Sequence, residues 1–126
     1  MEKMMNVLIV DDEKIEREGL KYLLSMEKGK HGIYEAANGR QALQILRAEC
    51  IDMLLTDIKM PHMDGLELSK RAKELFPEIQ IIIFSGYNDF TFAQEAIRYG
   101  VTDYILKPVD PDNFHEIIQK TEKKDF

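Results

Sequence analysis

Apolar positions in this chain alternate between two patterns. Runs of successive apolar residues occur at about 5–10, 32–36, 51–56, 79–84 and 101–106, as expected of strands buried on both faces of a parallel sheet. Between them, apolar residues recur at helical spacing. Ile15, Gly19, Leu20, Leu23 and Leu24 predict the inner face of a first helix, with Glu16, Arg17, Glu18 and Lys21 mostly outward. Ala42, Leu43, Ile45 and Leu46 do the same for a second, opened by Asn38-Gly39. A third spans 65–76 and stops at Pro77, and a fourth spans 89–99 and stops at Gly100. A fifth covers 112–123, with Pro111 near its start. Strand then helix, five times over, predicts one α/β domain whose parallel sheet is covered on both faces. Crossovers in such units are right-handed. Periodicity does not give the strand order.

Composition narrows the class. The 126 residues suffice for one domain with its own core, and 44% apolar with 32% charged residues is ordinary for a globular protein. A net charge of −6 argues against a nucleic-acid surface on this segment. Cys50 is the only cysteine, which excludes an internal disulfide framework and any Cys-rich zinc site and suits a reducing cytoplasm. No apolar stretch is long enough to span a bilayer, and the first residues predict no signal peptide. The polar, charged stretch 121–126 reads as a helix end or the start of a linker. Met26 and Met53 are expected as core filler.

Three of the apolar runs end in charged residues. Val7 to Val10 leads into Asp11-Asp12, Met53 to Thr56 into Asp57, and Tyr104 to Leu106 into Lys107-Pro108. In a parallel sheet these ends converge at the carboxyl edge, where open α/β folds bind ligands. Asp11-Asp12-Glu13 taken alone suits a helix cap. Asp57 adds a second acidic strand end, and magnesium takes one or two carboxylates, several waters and a phosphate. Carboxylates also attack phosphoryl groups, giving an aspartyl phosphate. Crowding raises carboxylate pKa values and a bound cation offsets that penalty. Lys107 supplies a point charge for phosphoryl oxygens, and a cis bond at Lys107-Pro108 would aim it. Ser85 puts a hydroxyl on the same edge, though Ser85-Gly86 alone reads as a turn. His31, His62 and His115 have no metal-ligand spacing.

Asp11-Asp12, Asp57, Ser85 and Lys107-Pro108, in this order on successive strand ends, closely resemble the receiver domains of two-component response regulators. Met60-Pro61-His62-Met63-Asp64-Gly65 resembles the family's M-P-x-M-D-G loop, and Asp103 to Pro108 its last strand. The resemblance runs from Val7 to about Ile118 and implies a flavodoxin-like three-layer fold with strand order 2-1-3-4-5. It implies that Asp57 accepts a phosphoryl group from a sensor histidine kinase. Asp12, Asp57 and the backbone carbonyl of Lys59 would hold Mg2+ (or Mn2+), with Asp11 acting through water. Lys107 would pair with the phosphoryl group, Ser85 would move towards it, and Tyr104 would rotate inward behind. Tyr87 and Lys59 would flank the group and modulate hydrolysis. The stretch Ser85 to Phe90 with Ala93, followed by Gly100 to Tyr104, is similar to receivers joined to AraC-type helix-turn-helix domains. That implies a transcription regulator whose DNA-binding output domain lies outside these residues, with a linker beginning near 121–126. It also implies a possible homodimer through the face of the fourth helix, fifth strand and fifth helix.

The resemblance implies a signalling phosphoacceptor that would catalyse only its own phosphorylation and dephosphorylation, either linked to an output domain or standing alone. Two other classes compete. An aspartyl-nucleophile phosphatase of the haloacid-dehalogenase kind would carry a second aspartate two residues after the nucleophile, where this chain has Lys59. A flavodoxin-like binding module would have no use for the acidic triad.

Overall fold

The computed structural model describes residues 5–27, 32–86 and 90–124. Five strands alternate with five helices: β1 (Asn6–Val10), α1 (Lys14–Ser25), β2 (Gly32–Ala36), α2 (Gly39–Ala48), β3 (Met53–Asp57), α3 (Gly65–Leu75), β4 (Gln80–Ser85), α4 (Phe90–Arg98), β5 (Asp103–Leu106) and α5 (Pro111–Lys124). All strand pairs are parallel, in the order β2-β1-β3-β4-β5.

Successive residues of the central strands face opposite layers, which explains their unbroken apolar runs. Leu8, Val10, Leu54, Ile81 and Ile83 pack with α2, α3 and α4. Val7, Ile9, Leu55, Ile82 and Phe84 pack on the other side with α1 and α5. Phe84 and Phe114 anchor that second layer, their ring centroids 6.2 Å apart.

Local chemistry sets several helix starts. Asn38 caps α2 by accepting from the Gln41 amide, and Asp64 caps α3 by accepting from the Glu67 amide. Glu13 is the N-cap of α1 but makes no side-chain capping bond. α5 continues through 121–124, because Thr121 is buried and its hydroxyl donates to the Ile117 carbonyl. The charged end of the sequence is therefore helix at least to Lys124.

Two assignments from periodicity are corrected. Ile15 is 77% exposed and Gly19 is exposed, so the inner face of α1 is carried by Leu20 and Leu24 with Leu23 packed alongside. Met53 is core, but Met26 is 55% exposed because it follows the last turn of α1. Strand and helix bounds otherwise move by one or two residues, as end fraying permits.

Candidate functional site

The carboxyl edge of the sheet gathers its charges as the strand ends predict. β1 and β3 are adjacent, with Val10 opposite Thr56, so Asp11-Asp12 and Asp57 leave the sheet side by side. One carboxylate oxygen from each of Asp11, Asp12 and Asp57 falls within 4.8 Å of the others. Two ligands on opposite sides of one octahedral magnesium stand about 4.2 Å apart, from its ~2.1 Å bonds. A small side-chain adjustment, or a water beneath one carboxylate, brings the set into range. The donors are all hard oxygens, which suits Mg2+ or Mn2+ over softer ions.

Asp11 is buried, Asp57 half-buried and Asp12 exposed. The acidic turn is braced from two directions. The Asp11 amide donates to the Ala36 carbonyl on β2 at 3.2 Å, and its carboxylate accepts from the Glu13 amide at 2.9 Å. Its carbonyl accepts from Arg17 Nη1 at 2.7 Å, while Arg17 Nε pairs with Glu35 on β2 at 3.2 Å.

Asp57 Oδ1 accepts from the Ile58 amide at 2.9 Å. The chain then turns, with the Ile58 amide on the Phe84 carbonyl at 3.0 Å and the Gly65 amide on the Ile58 carbonyl at 2.7 Å. A Cβ on Gly65 would overlap the Asp57 carbonyl oxygen and come within 2.9 Å of Ile58 Cα. Only glycine lets the start of α3 close on the acidic strand end. In the same loop His62 has φ 70°, a left-handed conformation that histidine tolerates better than most residues.

Lys107 reaches over the cluster from β5, and the Lys107-Pro108 peptide bond is cis. Its Nζ lies 3.4 Å from Asp57 Oδ1, 3.5 Å from Glu16 Oε2 and 3.6 Å from Asp11 Oδ2. The electrostatics follow. Burial pushes the Asp11 carboxyl up to about 6, opposed by the Glu13 amide and reinforced by Asp57. Burial likewise raises Asp57, against the pull of Lys107 and the Ile58 amide. Burial disfavours the Lys107 ammonium, but the carboxylates of Asp57, Asp11 and Glu16 outweigh it and hold this amine above its ordinary value.

Ser85 closes β4, is fully buried, and accepts the Lys107 amide on its carbonyl at 2.7 Å. It sits one position beyond Phe84, the register partner of Asp57. Tyr104, opposite Ile83, packs part-buried against the α2-α3-α4 layer. Lys59 follows the acidic strand end with its side chain exposed. Tyr87 lies outside the described residues.

Glu16 and Arg17 were not singled out by the sequence patterns, which put both on the outer face of the first helix. Their one sequence signal is position: both fall in the first turn after the acidic pair, where a helix starting at the sheet edge turns back over it. Ile15, Gly19 and Leu23 line a hollow of about 630 Å³ with Lys107, Pro108 and Val109, beside the acidic cluster.

The fold, the acidic edge and the bridging lysine define a phosphoacceptor domain, and the chain belongs to the response regulator receiver domain family, which it matches over residues 7–119. Receiver domains take a phosphoryl group from histidine kinases and bind Mg2+ at an acidic pocket. The chain is 36% identical over 127 residues to the transcriptional regulatory protein YesN of Bacillus subtilis, covering 97% of this chain but 34% of that protein. It is 38% identical over 121 residues to sporulation initiation phosphotransferase F of the same organism, covering 93% and 94% of the two. The crystal structure of a two-component transcriptional regulator AraC from Clostridium phytofermentans superposes with TM-score 0.81 at 32% identity, covering 94% of this chain and 92% of that one. The chain thus spans about a third of YesN. Among the described residues no helix is long and apolar enough to cross a membrane.

Proposed function

We propose that Asp57 is the phosphoacceptor of this receiver and that a sensor histidine kinase is its donor. One observation carries the reading: Lys107 Nζ stands 3.4 Å from Asp57, whose carboxylate shares an oxygen-donor cluster with Asp11 and Asp12. An Asp57 oxygen attacks the phosphorus of a phosphohistidine. The new P–O bond forms as the P–N bond breaks, and the imidazole nitrogen leaves with that electron pair. Asp12, Asp57 and the Lys59 carbonyl would hold Mg2+, with Asp11 contributing through water, and a cation bound there would offset the charge on the transferring group. Lys107 neutralises a phosphoryl oxygen from the opposite side.

The modification replaces a carboxylate with an acyl phosphate of about −1.5 to −2 charges, so up to about one negative charge and three acceptor oxygens are gained beside Ser85 and Lys107. Ser85 moves towards the new oxygens, and Tyr104 turns into the space behind it. The readout face is then α4, β5 and α5, where Ile97 and Leu106 are 74% and 44% exposed. This face mediates homodimerisation in the active form. Similarity to a full-length regulator and to an AraC regulator supports a DNA-binding output domain following the helical end of α5. The protein is then a signalling component and not an enzyme acting on a separate substrate, in keeping with a cytoplasmic kinase partner. The match to sporulation initiation phosphotransferase F along nearly its whole length supports a stand-alone receiver as the second reading.

Incubation with acetyl phosphate and Mg2+, followed by intact-mass measurement, tests the acceptor. The native chain gains one phosphoryl group and Asp57→Ala gains none. Modification of Asp57→Ala at the native rate would overturn the assignment.

A further inference from the structure

An ammonium carries three donors, and Lys107 faces three carboxylates, at 3.4, 3.5 and 3.6 Å. Charge-assisted bonds close to about 2.7–2.9 Å when one partner is committed. Every separation here is longer, so the cation is shared among its neighbours. Two of those neighbours, Asp57 and Asp11, belong to the oxygen cluster at the sheet edge. The third does not. Glu16 stands in the first turn of α1 and joins Lys107 in the wall of the hollow between α1 and the segment after β5. Lys107 is its ion-pair partner among the described residues. The neighbouring charges of α1 are engaged elsewhere: Lys14 with Glu18, and Arg17 and Lys21 with Glu35.

We propose that Glu16 is a positioning residue for Lys107, drawing its ammonium towards α1 and opposing its commitment to a phosphoryl group on Asp57. The inference rests on the reading of Asp57 as phosphoacceptor. A phosphoryl group attracts Lys107 more strongly than a carboxylate does, and the lysine follows it by loosening its contact with Glu16. A contact made in one state and weakened in the other biases the equilibrium by that difference. Glu16 therefore weighs against the phosphorylated arrangement and sets how readily the chain enters it.

The test is a double-mutant cycle read by calorimetric binding of beryllium trifluoride, an acyl-phosphate mimic, at saturating Mg2+. Glu16→Gln removes the charge and keeps the side-chain size at a site that is 40% exposed. It is expected to bind the mimic about two- to fivefold tighter than native, the scale of a part-exposed ion pair. In a Lys107→Ala background the same substitution is expected to have no effect. Should that background bind too weakly to compare, rates of Asp57 phosphorylation by acetyl phosphate complete the cycle. Unchanged or weaker binding by Glu16→Gln overturns the proposal. A gain that persists in full without Lys107 also overturns it, because Glu16 would then act by simple repulsion. A native chain that binds no mimic and accepts no phosphoryl group would overturn the phosphoacceptor reading itself, a pattern distinct from both.

Discussion

Gly65 lies directly against the backbone carbonyl of Asp57, so close that a Cβ there would overlap its oxygen. The obstacle is backbone at the end of a central strand, which cannot swing aside as a flexible side chain could. Gly65→Ala should destabilise the domain by about 1–3 kcal/mol, the range for overpacking with backbone displacement. Urea unfolding measures the loss. Slower phosphorylation by acetyl phosphate should accompany it, because the displaced segment carries the Lys59 carbonyl.

Asp11 gives a pH dependence with a definite sign. Its folded pKa of about 6 lies above the ordinary 3.8, so the folded state binds this proton more tightly than the unfolded state. The resulting stabilisation is complete below about pH 3.8 and is lost as pH rises through 6. In metal-free buffer at pH 8, Asp11→Asn should therefore be more stable than native by about 2–3 kcal/mol, from the size of the shift. The advantage should vanish near pH 3.5, as measured by denaturant unfolding at both pH values.

Divalent cation should reverse that cost in the native chain. Mg2+ bound only by the folded state adds about 2.7 kcal/mol at one hundred times its dissociation constant. The expected signature is a melting temperature that climbs with Mg2+ in the native protein and stays flat in Asp12→Asn/Asp57→Asn. A melting temperature insensitive to Mg2+ in the native chain would falsify the cation assignment.

Tyr87 stands two residues beyond Ser85 in sequence, and its bulk is expected to hinder the water that hydrolyses the aspartyl phosphate. Tyr87→Ala should shorten the phosphorylated lifetime several-fold. Decay of the intact-mass signal after removal of donor gives the rate. An unchanged or longer lifetime would remove Tyr87 from the account.

A polar tie should matter to stability alone. His115 Nδ1 on α5 lies 2.9 Å from the buried Glu27 carboxylate just past α1, and Gln119 Nε2 donates to the same group at 3.4 Å. His115→Ala should destabilise by about 1–2 kcal/mol, the range for leaving a buried acceptor short of a partner. Its phosphorylation rate should remain native.

The strands were legible because burial on both sides leaves an unbroken apolar run, as Ile81-Ile82-Ile83-Phe84 does. The acidic edge was legible because each charged residue ends such a run. α1 was less so. Ile15 and Gly19 share helical spacing with Leu20 and Leu24, yet they face the hollow beside Lys107, a distinction made by the position of β5 and α5. Arg17 and Glu16 read as ordinary surface charges because their partners, Glu35 and Lys107, lie 18 and 91 residues away. The periodic pattern was silent on strand order, which depends on pairing between distant runs. The family resemblance supplied the order that the structure has.

Among the described residues the two packed layers form separate clusters with the sheet between them. Leu8 and Ile9 are neighbours in the chain, yet one belongs with α2, α3 and α4 and the other with α1 and α5. The sheet acts as a bulkhead between two separately filled compartments. The proposed readout face of α4, β5 and α5 draws on both compartments, and so does the acidic edge, where Gly65 of α3 and the first turn of α1 both close on the strand ends. Each compartment therefore couples the chemistry to the surface that reports it.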